Sequence, residues 1–302
     1  MKLGFIGLGI MGTPMALHLL GAGHQLFVHT RGDLPADIAA SAATHCPSAE
    51  EVTRNAQIVF LMVPDTPDVE AVLFGEGGVA AALGALGAQA GGERKVVVDM
   101  SSISPIATKA FAARINELGA DYVDAPVSGG EVGAKAASLT IMCGGDEAVF
   151  ERVRPLLEKV GRNITLVGGN GDGQTTKVAN QIIVALNIAA VGEALLFASK
   201  AGADPAKVRQ ALMGGFASSR ILEVHGERMI KRTFGPGFRI RLHQKDLGLA
   251  LQGAREIGVA LPQTASAAQL MQVCAANGMA DLDHSALVRA LELMADHEVA
   301  EG

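Results

Sequence analysis

Short apolar runs alternate with segments of helical periodicity throughout the first half of the chain. The runs are rich in Val, Ile, Leu and Phe and lie at residues 3–6, 25–29, 58–63, 96–100, 122–124, 139–143 and 163–167. Two helix starts between them carry suitable capping residues, Ser48 with Glu51 and Ser104 before Pro105. This rhythm predicts a doubly wound, mostly parallel α/β sheet with helices on both faces.

From residue 174 onward the pattern becomes helical. Residues 174–201 form one continuous pattern of about 28 residues, or roughly 42 Å of helix at 1.5 Å per residue. Its apolar residues point in nearly every direction and include Val178, Ile182, Leu186 and Leu195. Such a helix has to be covered on several sides. We therefore expect it to run through the centre of a helical second domain and to contribute to an oligomer interface.

A glycine-rich stretch at residues 168–173 separates these two patterns. A chain of 302 residues is longer than one ordinary hydrophobic core fills, so two domains are expected. We predict an α/β domain over residues 1–168 and an all-α domain over residues 169–302, built on the long central helix. Asp204 before Pro205 marks the start of the helix that follows.

The composition describes an aliphatic globular chain, with 49% hydrophobic and 19% charged residues. The net charge of -6 argues against a nucleic-acid partner, because phosphate neutralisation needs clustered Lys and Arg. Cys46, Cys143 and Cys274 lie far apart without the spacing of metal ligands, which is typical of structural thiols in a reducing compartment. We expect a cytoplasmic protein without a metal site.

Two apolar segments resemble membrane or export signals at first sight. The run at residues 3–20 contains four glycines and a histidine, which favours a buried strand and helix over a signal peptide. Residues 178–192 carry no charge but include Asn180, Gln181 and Asn187, and 15 residues are too few to cross a bilayer. We therefore expect no membrane partner.

A glycine motif follows the first predicted strand and opens the first predicted helix. It is a G-x-G-x-x-G run that consists of Gly7, Leu8, Gly9, Ile10, Met11 and Gly12. The first glycine permits a tight turn, the second lets a pyrophosphate approach the backbone, and the third allows close packing of helix and strand. Amide groups at the helix start then face the phosphates. The motif in this position predicts a Rossmann domain that binds a dinucleotide.

The end of the second predicted strand bears on cofactor choice. It reads His29, Thr30, Arg31, and no carboxylate follows until Asp33. An acidic residue here would bind the ribose diol of NAD, whereas a guanidinium can pair with a 2′-phosphate. The sequence favours NADPH, with NAD or dual use as the alternative. An arginine that merely lies in a solvated loop is also compatible with this pattern.

Lys177, Asn180 and Gln181 share one face of the long predicted helix, close to its start. A lysine in this apolar setting, near a positive helix end, has reason for a depressed pKa and could donate a proton near neutral pH. The alternative is a lysine whose stem packs on the core while its amine reaches water, with two amides that satisfy the core. Spacing alone favours neither interpretation.

Two further clusters offer binding groups. Ser128, Gly129 and Gly130 follow a strand end, where a hydroxyl and exposed amides can hold a small carboxylate. A plain glycine loop would look the same. Lys245 follows His243 in a basic segment that, on composition alone, is more often a solvated face than a site.

The chain resembles the β-hydroxyacid dehydrogenase family over essentially its whole length. The motifs that carry this resemblance are Gly-Phe-Ile-Gly-Leu-Gly-Ile-Met-Gly from Gly4, Met-Val-Pro from Met62, Asp-Met-Ser-Ser from Asp99, Asp-Ala-Pro-Val-Ser-Gly-Gly from Asp124, Gly-Gln-Thr-Thr-Lys-Val-Ala-Asn-Gln from Gly173 and Lys-Asp-Leu from Lys245. The resemblance implies a nicotinamide-dependent enzyme that acts on a small hydroxyacid or semialdehyde.

The resemblance also implies roles for individual residues. Lys177 is expected to be the general acid/base, with Asn180 orienting the reacting oxygen. The substrate-binding set is Ser102, Ser128, Gly129, Gly130, Lys177, Asn180 and Gln181. The cofactor-binding set is the glycine motif with His29, Thr30, Arg31, Met62, Val63, Pro64, Ser102 and Lys245. Ser102 and Gln181 stand where many family members have Thr and Asn, which keeps a hydroxyl and an amide at these positions.

Within the family, residues 211–220 and 225–228 resemble members that reduce tartronate semialdehyde to D-glycerate. That reaction is the expected activity. Alternatives are related chemistry on 3-hydroxyisobutyrate or succinic semialdehyde, and a non-catalytic dinucleotide-binding module. We expect a homodimer or homotetramer.

Overall fold

The computed structural model describes residues 1–86 and 94–300. The chain divides into two compact units, Met1–Lys177 and the residues from Val178 onward. This division falls inside the long helix, nine residues after the 168/169 boundary that the glycine-rich stretch suggested. The domain limits drawn from the sequence stay a prediction.

The first unit is built on one sheet whose central strands are parallel. Its strands in the described residues are β1 Lys2–Ile6, β2 Gln25–His29, β3 Thr44–His45, β4 Ile58–Leu61, β5 Val96–Asp99, β6 Asp121–Asp124, β7 Val127–Ser128, β8 Leu139–Gly144 and β9 Gly161–Gly168. The strand order is β3-β2-β1-β4-β5-β6-β8-β7, and β9 pairs with β8. Strands β1 to β6 are mutually parallel. Strands β8 and β9 are parallel to each other, while β8 runs antiparallel to β6 and β7.

This order confirms the predicted doubly wound sheet. The chain leaves β1 for β2 on one side and reaches β4 on the other, so the strand order reverses beside β1. Ligands of open α/β sheets bind at the carboxyl ends of strands at such a switch point. The expected strand ends were too late for β4 and β5, which end at Leu61 and Asp99 rather than at residues 63 and 100. Val63 instead donates its backbone N–H to Ser101 Oγ at 3.0 Å. The expected ends were one residue too early for β8 and β9, which end at Gly144 and Gly168.

Helices connect the strands of this unit. They are α1 Gly12–Gly21, α2 Ala36–Ala39, α3 Ala49–Asn55, α4 Thr66–Phe74, α5 Val79–Leu86, α6 Pro105–Glu117, α7 Gly130–Lys135 and α8 Glu147–Leu157. The two predicted helix starts are confirmed, because Ser48 Oγ accepts the N–H of Glu51 and Ser104 Oγ accepts that of Ala107. These caps satisfy backbone donors that have no partner inside a helix.

Alternate residues of each central strand enter two hydrophobic cores, one on each face of the sheet. Phe5, Phe60 and Val98 belong to one core, whereas the neighbouring residues Ile6, Val59 and Val97 belong to the other. Side chains of a strand point to opposite faces in turn. A parallel sheet covered on both faces therefore has near-continuous apolar strands, as β4 and β5 show.

The second unit is helical. Its elements are the larger part of α9 Asp172–Lys200, followed by α10 Pro205–Leu212, α11 Arg220–Lys231, α12 Ile240–Glu256, α13 Pro262–Ala276, a short 3₁₀ segment His284–Leu287 and α14 Val288–Ala295. Its core contains Ile188 and Leu195 of α9 with Met271, Leu287 and Val288. The predicted long helix and the start of α10 at Asp204 are confirmed, since Asp204 caps α10 through the N–H groups of Ala206 and Lys207.

Helix α9 is covered less completely than its sequence suggests. By length and composition it could cross a membrane, and 33% of its most apolar 18-residue window is buried. Ile183 and Phe197 are 62% and 77% exposed, because the other helices of the unit pack on the side that carries Ile188 and Leu195. The single chain therefore leaves an apolar side of this helix exposed, and the expectation that an oligomer interface covers it stays a prediction.

Candidate active site

The glycine motif has the backbone that a dinucleotide site requires. Gly7 has a φ of 95° and donates its N–H to His29 O at 3.0 Å, and a Cβ there would lie 2.3 Å from Met62 O. A Cβ on Gly12 would lie 1.9 Å from Gly7 O, whereas one on Gly9 would meet no atom within 4 Å. The outer glycines thus permit the turn and the close packing, and Gly9 leaves open space for a pyrophosphate.

The start of α1 completes this cradle. Met11 is its N-cap residue and makes no side-chain capping bond. The Thr13 N–H donates to Gly9 O at 3.0 Å and its hydroxyl donates to Leu8 O at 2.9 Å, which fixes the loop around Ile10. The first amide groups of an uncapped helix attract anions through their N–H bonds and the helix dipole. The residues present therefore fit the phosphates of a dinucleotide.

His29, Thr30 and Arg31 lie at the carboxyl end of β2, beside the glycine loop. His29 Nδ1 donates to Cys46 O at 3.0 Å, and its ring stacks on that of His45. The Arg31 guanidinium forms a 2.9 Å ion pair with Asp68 of α4, and its side chain is 75% exposed. Arg31 is therefore a largely exposed arginine with one carboxylate partner at the carboxyl end of β2, which is compatible both with a 2′-phosphate contact and with a solvated loop residue.

The loops after β4 and β5 are joined by hydrogen bonds. Met62, Val63 and Pro64 follow β4, and the Val63 N–H binds Ser101 as described above. Ser101 itself is buried, and its N–H donates to Asp99 Oδ1 at 2.9 Å. Asp99 also accepts the Tyr122 hydroxyl at 2.8 Å. Burial and the Asp99 charge raise the pKa of Tyr122, so this phenol stays a hydrogen-bond donor.

Ser102 is half-buried. The backbone of its two neighbours, Ser101 and Ile103, binds the side chain of Gln174. Gln174 accepts the N–H of Ile103 at 3.1 Å and donates to Ser101 O at 2.7 Å. Gln174 is fully buried in the first turn of α9, three residues before Lys177. Gln174 lies within one of the motifs that carry the family resemblance, but its sequence position alone indicates no role. Its place beside the predicted catalytic lysine was the available signal.

Ser128 and the two glycines after it form a short turn between β7 and α7. Ser128 and Gly130 are half-buried and Gly129 is exposed. The φ angles of Gly129 and Gly130 are 133° and 58°, a region that side chains disfavour. The turn therefore requires glycine for its backbone, and it leaves the amides near Ser128 without a Cβ beside them.

Lys177 is 7% exposed, on the same face of α9 as Asn180 and Gln181. This burial disfavours the alternative of an amine that reaches into bulk water. Asn180 Nδ2 donates to Gln181 Oε1 at 2.9 Å, and Gln181 Nε2 donates to Asp246 Oδ2 at 2.5 Å. The two amides and Asp246 thus form one hydrogen-bonded row.

The segment around Lys245 is more than a solvated face. Lys245 Nζ lies 3.1 Å from Asp246 Oδ1, and the lysine side chain is 19% exposed. His243 is fully buried, and its Nε2 donates to Gln181 O at 3.0 Å. The interpretation of this segment from composition was therefore wrong for His243 and Lys245, since α12 turns both residues inward. It holds for Arg241, whose side chain is 53% exposed.

A buried histidine cluster lies beyond His243 in the second unit. His243 Nδ1 is 2.9 Å from His284 Nδ1, and His284 Nε2 is 3.3 Å from His225 Nε2. His225, His284 and Asp283 have the spacing of metal ligands. Asp283, however, already accepts bonds from the N–H groups of residues 237, 238 and 285, from the residue 285 hydroxyl and from the Arg228 guanidinium at 2.8 Å. The Asp283 carboxylate is therefore already occupied by protein hydrogen-bond donors and by the positively charged Arg228 side chain.

Two family models cover nearly the whole chain. One, described as the NAD binding domain of 6-phosphogluconate dehydrogenase, matches residues 2–169. The other, described as the NAD-binding of NADP-dependent 3-hydroxyisobutyrate dehydrogenase, matches residues 171–291.

Individual proteins match over full length. The 2-hydroxy-3-oxopropionate reductase of Escherichia coli (strain K12) is 67% identical over 300 residues, which is 99% of this chain and 100% of that protein. Among solved structures, Mycobacterium tuberculosis 3-hydroxyisobutyrate dehydrogenase with L-serine has a TM-score of 0.83 at 33% identity, covering 96% of this chain and 98% of that one. The structure of Psf3 in complex with NADP+ and 2-OPP has a TM-score of 0.82 at 25% identity, with 96% and 99% covered.

Proposed function

Because this chain belongs to the β-hydroxyacid dehydrogenase family of NAD(P)-binding oxidoreductases, we propose that it reduces tartronate semialdehyde to D-glycerate with NADPH. The observation that carries this proposal is the 67% identity to a 2-hydroxy-3-oxopropionate reductase over the whole of both chains. The buried Lys177 on α9 and the open glycine loop supply the two parts that such a reaction needs.

The turn after β7 is proposed to orient the substrate. In our proposal the Ser128 hydroxyl and the amides of Gly129 and Gly130 donate hydrogen bonds to the substrate carboxylate. Ser102, held between two backbone groups that bind Gln174, contributes a hydroxyl on the cofactor side. Fixing one end of a three-carbon substrate orients its carbonyl, and such orientation contributes much of an enzymatic rate gain.

Lys177 acts as the general acid of the reduction. A bound nicotinamide supplies a hydride to the carbonyl carbon. The Lys177 ammonium gives a proton to the carbonyl oxygen as negative charge develops there, so carbon gains the hydride and oxygen the proton. Asn180 donates a hydrogen bond to the same oxygen. Solvent then returns a proton to the lysine.

NADPH is the proposed cofactor rather than NADH. The carboxyl end of β2 carries Arg31 and no carboxylate in residues 29–31 that would bind the ribose diol. The Arg31 guanidinium can form paired hydrogen bonds with a 2′-phosphate. Lys245 is proposed as a further contact to cofactor or substrate.

A steady-state comparison tests the substrate assignment. Tartronate, methylmalonate and succinic semialdehydes are offered separately with NADPH and with NADH, and nicotinamide oxidation is followed by absorbance. The proposal predicts the highest kcat/KM for tartronate semialdehyde with NADPH. A higher value for methylmalonate semialdehyde would favour a 3-hydroxyisobutyrate dehydrogenase, the alternative that one family model and one solved structure suggest. A non-catalytic binding module would turn over none of the three.

A second copy of this chain is the proposed partner of α9. Phe197 is largely exposed and lines an open apolar groove together with Leu196 and Ala295, while Leu293 and Met294 nearby are also exposed. Exposed apolar patches of this kind mark association surfaces. We propose that the chain forms a homodimer or homotetramer. We also propose a cytoplasmic location, because Cys46, Cys143 and Cys274 are free, buried thiols of the kind found in a reducing compartment. Sedimentation of the wild-type chain and of Phe197→Glu tests this assembly.

A further inference from the structure

We propose that Asp124 and Gln174 are positioning residues for the lysine, because together they fix the first turn of α9 to the loop that carries Ser102. The proposal rests on the assigned role of Lys177. All of its contacts lie within the first unit, between β6, β8, the loop after β5 and the start of α9.

Asp124 holds the start of α9 through both carboxylate oxygens. It is the last residue of β6 and is completely buried. Its Oδ1 accepts the N–H of Gly171 at 2.7 Å and its Oδ2 accepts the N–H of Gln174 at 3.0 Å. The first N–H groups of a helix have no partner inside it, and a carboxylate there is also favoured by the helix dipole. Asp124 therefore acts as a helix cap supplied from 47 to 50 residues away.

The fit around this carboxylate leaves little room for movement. A Cβ on Gly173 would lie 2.7 Å from Asp124 Oδ2 and 2.4 Å from Met142 O. The first turn of α9 thus lies directly against β6 and β8. A change in the position of this turn would have to move the backbone of both strands, so the helix start is defined by the sheet.

Gln174 then couples this turn to the loop after β5. Its amide binds the residues on both sides of Ser102, as described above. Residues three apart on a helix lie on the same face. Gln174 and Lys177 therefore project from one side of α9, and a single amide sets the distance from the lysine-bearing turn to Ser102.

The Asp124 carboxylate is costly to bury. Burial raises its pKa to about 6, although the Gly171 and Gln174 N–H groups favour the charged form. In the described part of the chain, Asp99 of β5, Tyr122 of β6 itself and Cys143 of β8 interact electrostatically with this carboxylate, and none of these three is a cation. Because burying an ionised group costs free energy, this carboxylate is by itself weak evidence of a contribution to stability. The two charge-assisted hydrogen bonds from the Gly171 and Gln174 N–H groups to Asp124 fix the position of the first turn of α9.

Two variants and one matched control test the proposal. Asp124→Asn keeps the shape but turns one acceptor into a donor that faces an N–H, and Gln174→Met removes both bonds to the Ser102 loop. Asp146→Asn is the control, because Asp146 caps α8 in the same unit through the N–H groups of Ala148 and Val149. Circular dichroism verifies that each variant is folded.

We expect kcat to fall roughly 10- to 100-fold in Asp124→Asn and Gln174→Met, since a shift of about 1 Å can cost that much, while the KM for NADPH changes less than about twofold. Backbone amides of residues 171–177 should exchange hydrogen faster than in the wild type. The control should match the wild type in both measurements. Wild-type kcat should also fall as pH drops through about 6, where Asp124 takes up a proton, and this limb should be absent in Asp124→Asn.

Unchanged kcat in the two variants would overturn the proposal, and so would a loss of kcat without faster exchange at residues 171–177. Hydrogen exchange needs no substrate. If the wild type fails to reduce tartronate semialdehyde, only the substrate assignment fails, and the same comparison with whichever semialdehyde is reduced decides the positioning role.

Discussion

Arg31 and Asp68 are joined by a 2.9 Å ion pair between the end of β2 and the first turn of α4. The arginine side chain is 75% exposed and the aspartate 23%, so the guanidinium keeps open sides toward solvent. Asp68 therefore orients Arg31 without enclosing it. A 2′-phosphate can bind the remaining N–H groups, and the aspartate competes with it for the same cation.

Arg31→Ala should lower kcat/KM for NADPH roughly 10- to 100-fold, the value of one or two hydrogen bonds to a charged group. The value for NADH should change little, because NADH has no phosphate at this position. Initial rates at varied cofactor concentration measure both. Asp68→Asn is the matched control and should keep or improve the NADPH value. Equal losses with both cofactors would contradict a phosphate role for Arg31.

Gly9→Ala and Gly12→Ala should separate binding from folding in the glycine loop. A methyl group on Gly9 enters open space, so the thermal midpoint should stay within a few degrees, while the blocked pyrophosphate position weakens NADPH binding. The methyl group of Gly12→Ala would meet Gly7 O at 1.9 Å, so both stability and binding should be lost. Thermal unfolding and NADPH fluorescence titration measure the two effects. Normal cofactor affinity in Gly9→Ala would count against the proposed binding mode.

The histidine cluster predicts acid sensitivity of the second unit. Burial and His243 lower the pKa of His284, and burial lowers that of His225. Because these folded-state values lie below the unfolded value of 6.5, the unfolded chain takes up protons first as pH falls below about 6.5, and stability is lost from there downward. Each histidine contributes at most about 1.4 kcal/mol per pH unit.

His284→Gln should reduce this loss between pH 7 and pH 5.5. Asp124 acts with the opposite sign, because its raised pKa favours the folded state as pH falls through about 6. The difference in unfolding free energy between wild type and variant at each pH is therefore the informative quantity, and urea titration provides it. A difference that does not change with pH would show that His284 is not the group responsible.

Local patterns predicted the elements on which the candidate site lies. The glycine loop, the parallel strands and α9 follow from periodicity and short motifs, which are encoded within a few residues. The two-residue strands Thr44–His45 and Val127–Ser128 were missed, because they are too short for any alternation to register. The incomplete covering of α9 depends on which side its neighbours occupy, which its own sequence does not record.

The contacts between the residues of the candidate site could not be predicted from the sequence, because they join residues that are far apart in the chain. Gln181 meets Asp246, and Gln174 meets the Ser102 loop, across 65 to 73 residues of chain. The histidine cluster likewise joins three separate segments. Each of these residues is common in proteins, and only the fold reveals its partner. Asp124, Gln174 and Asp246 all lie inside quoted motifs, so motif membership was the one available signal.

Single-turnover and binding measurements on Lys177→Ala test the central assignment most directly, with Lys109→Ala as control, since Lys109 is an exposed lysine that pairs with Asp172 at the start of the same helix. If Lys177 is the proton donor, its removal lowers the rate of semialdehyde reduction about 10²- to 10⁴-fold while the NADPH dissociation constant stays within about threefold. Lys109→Ala then remains close to wild type. A Lys177→Ala enzyme that reduces the semialdehyde at a near-native rate would contradict the account.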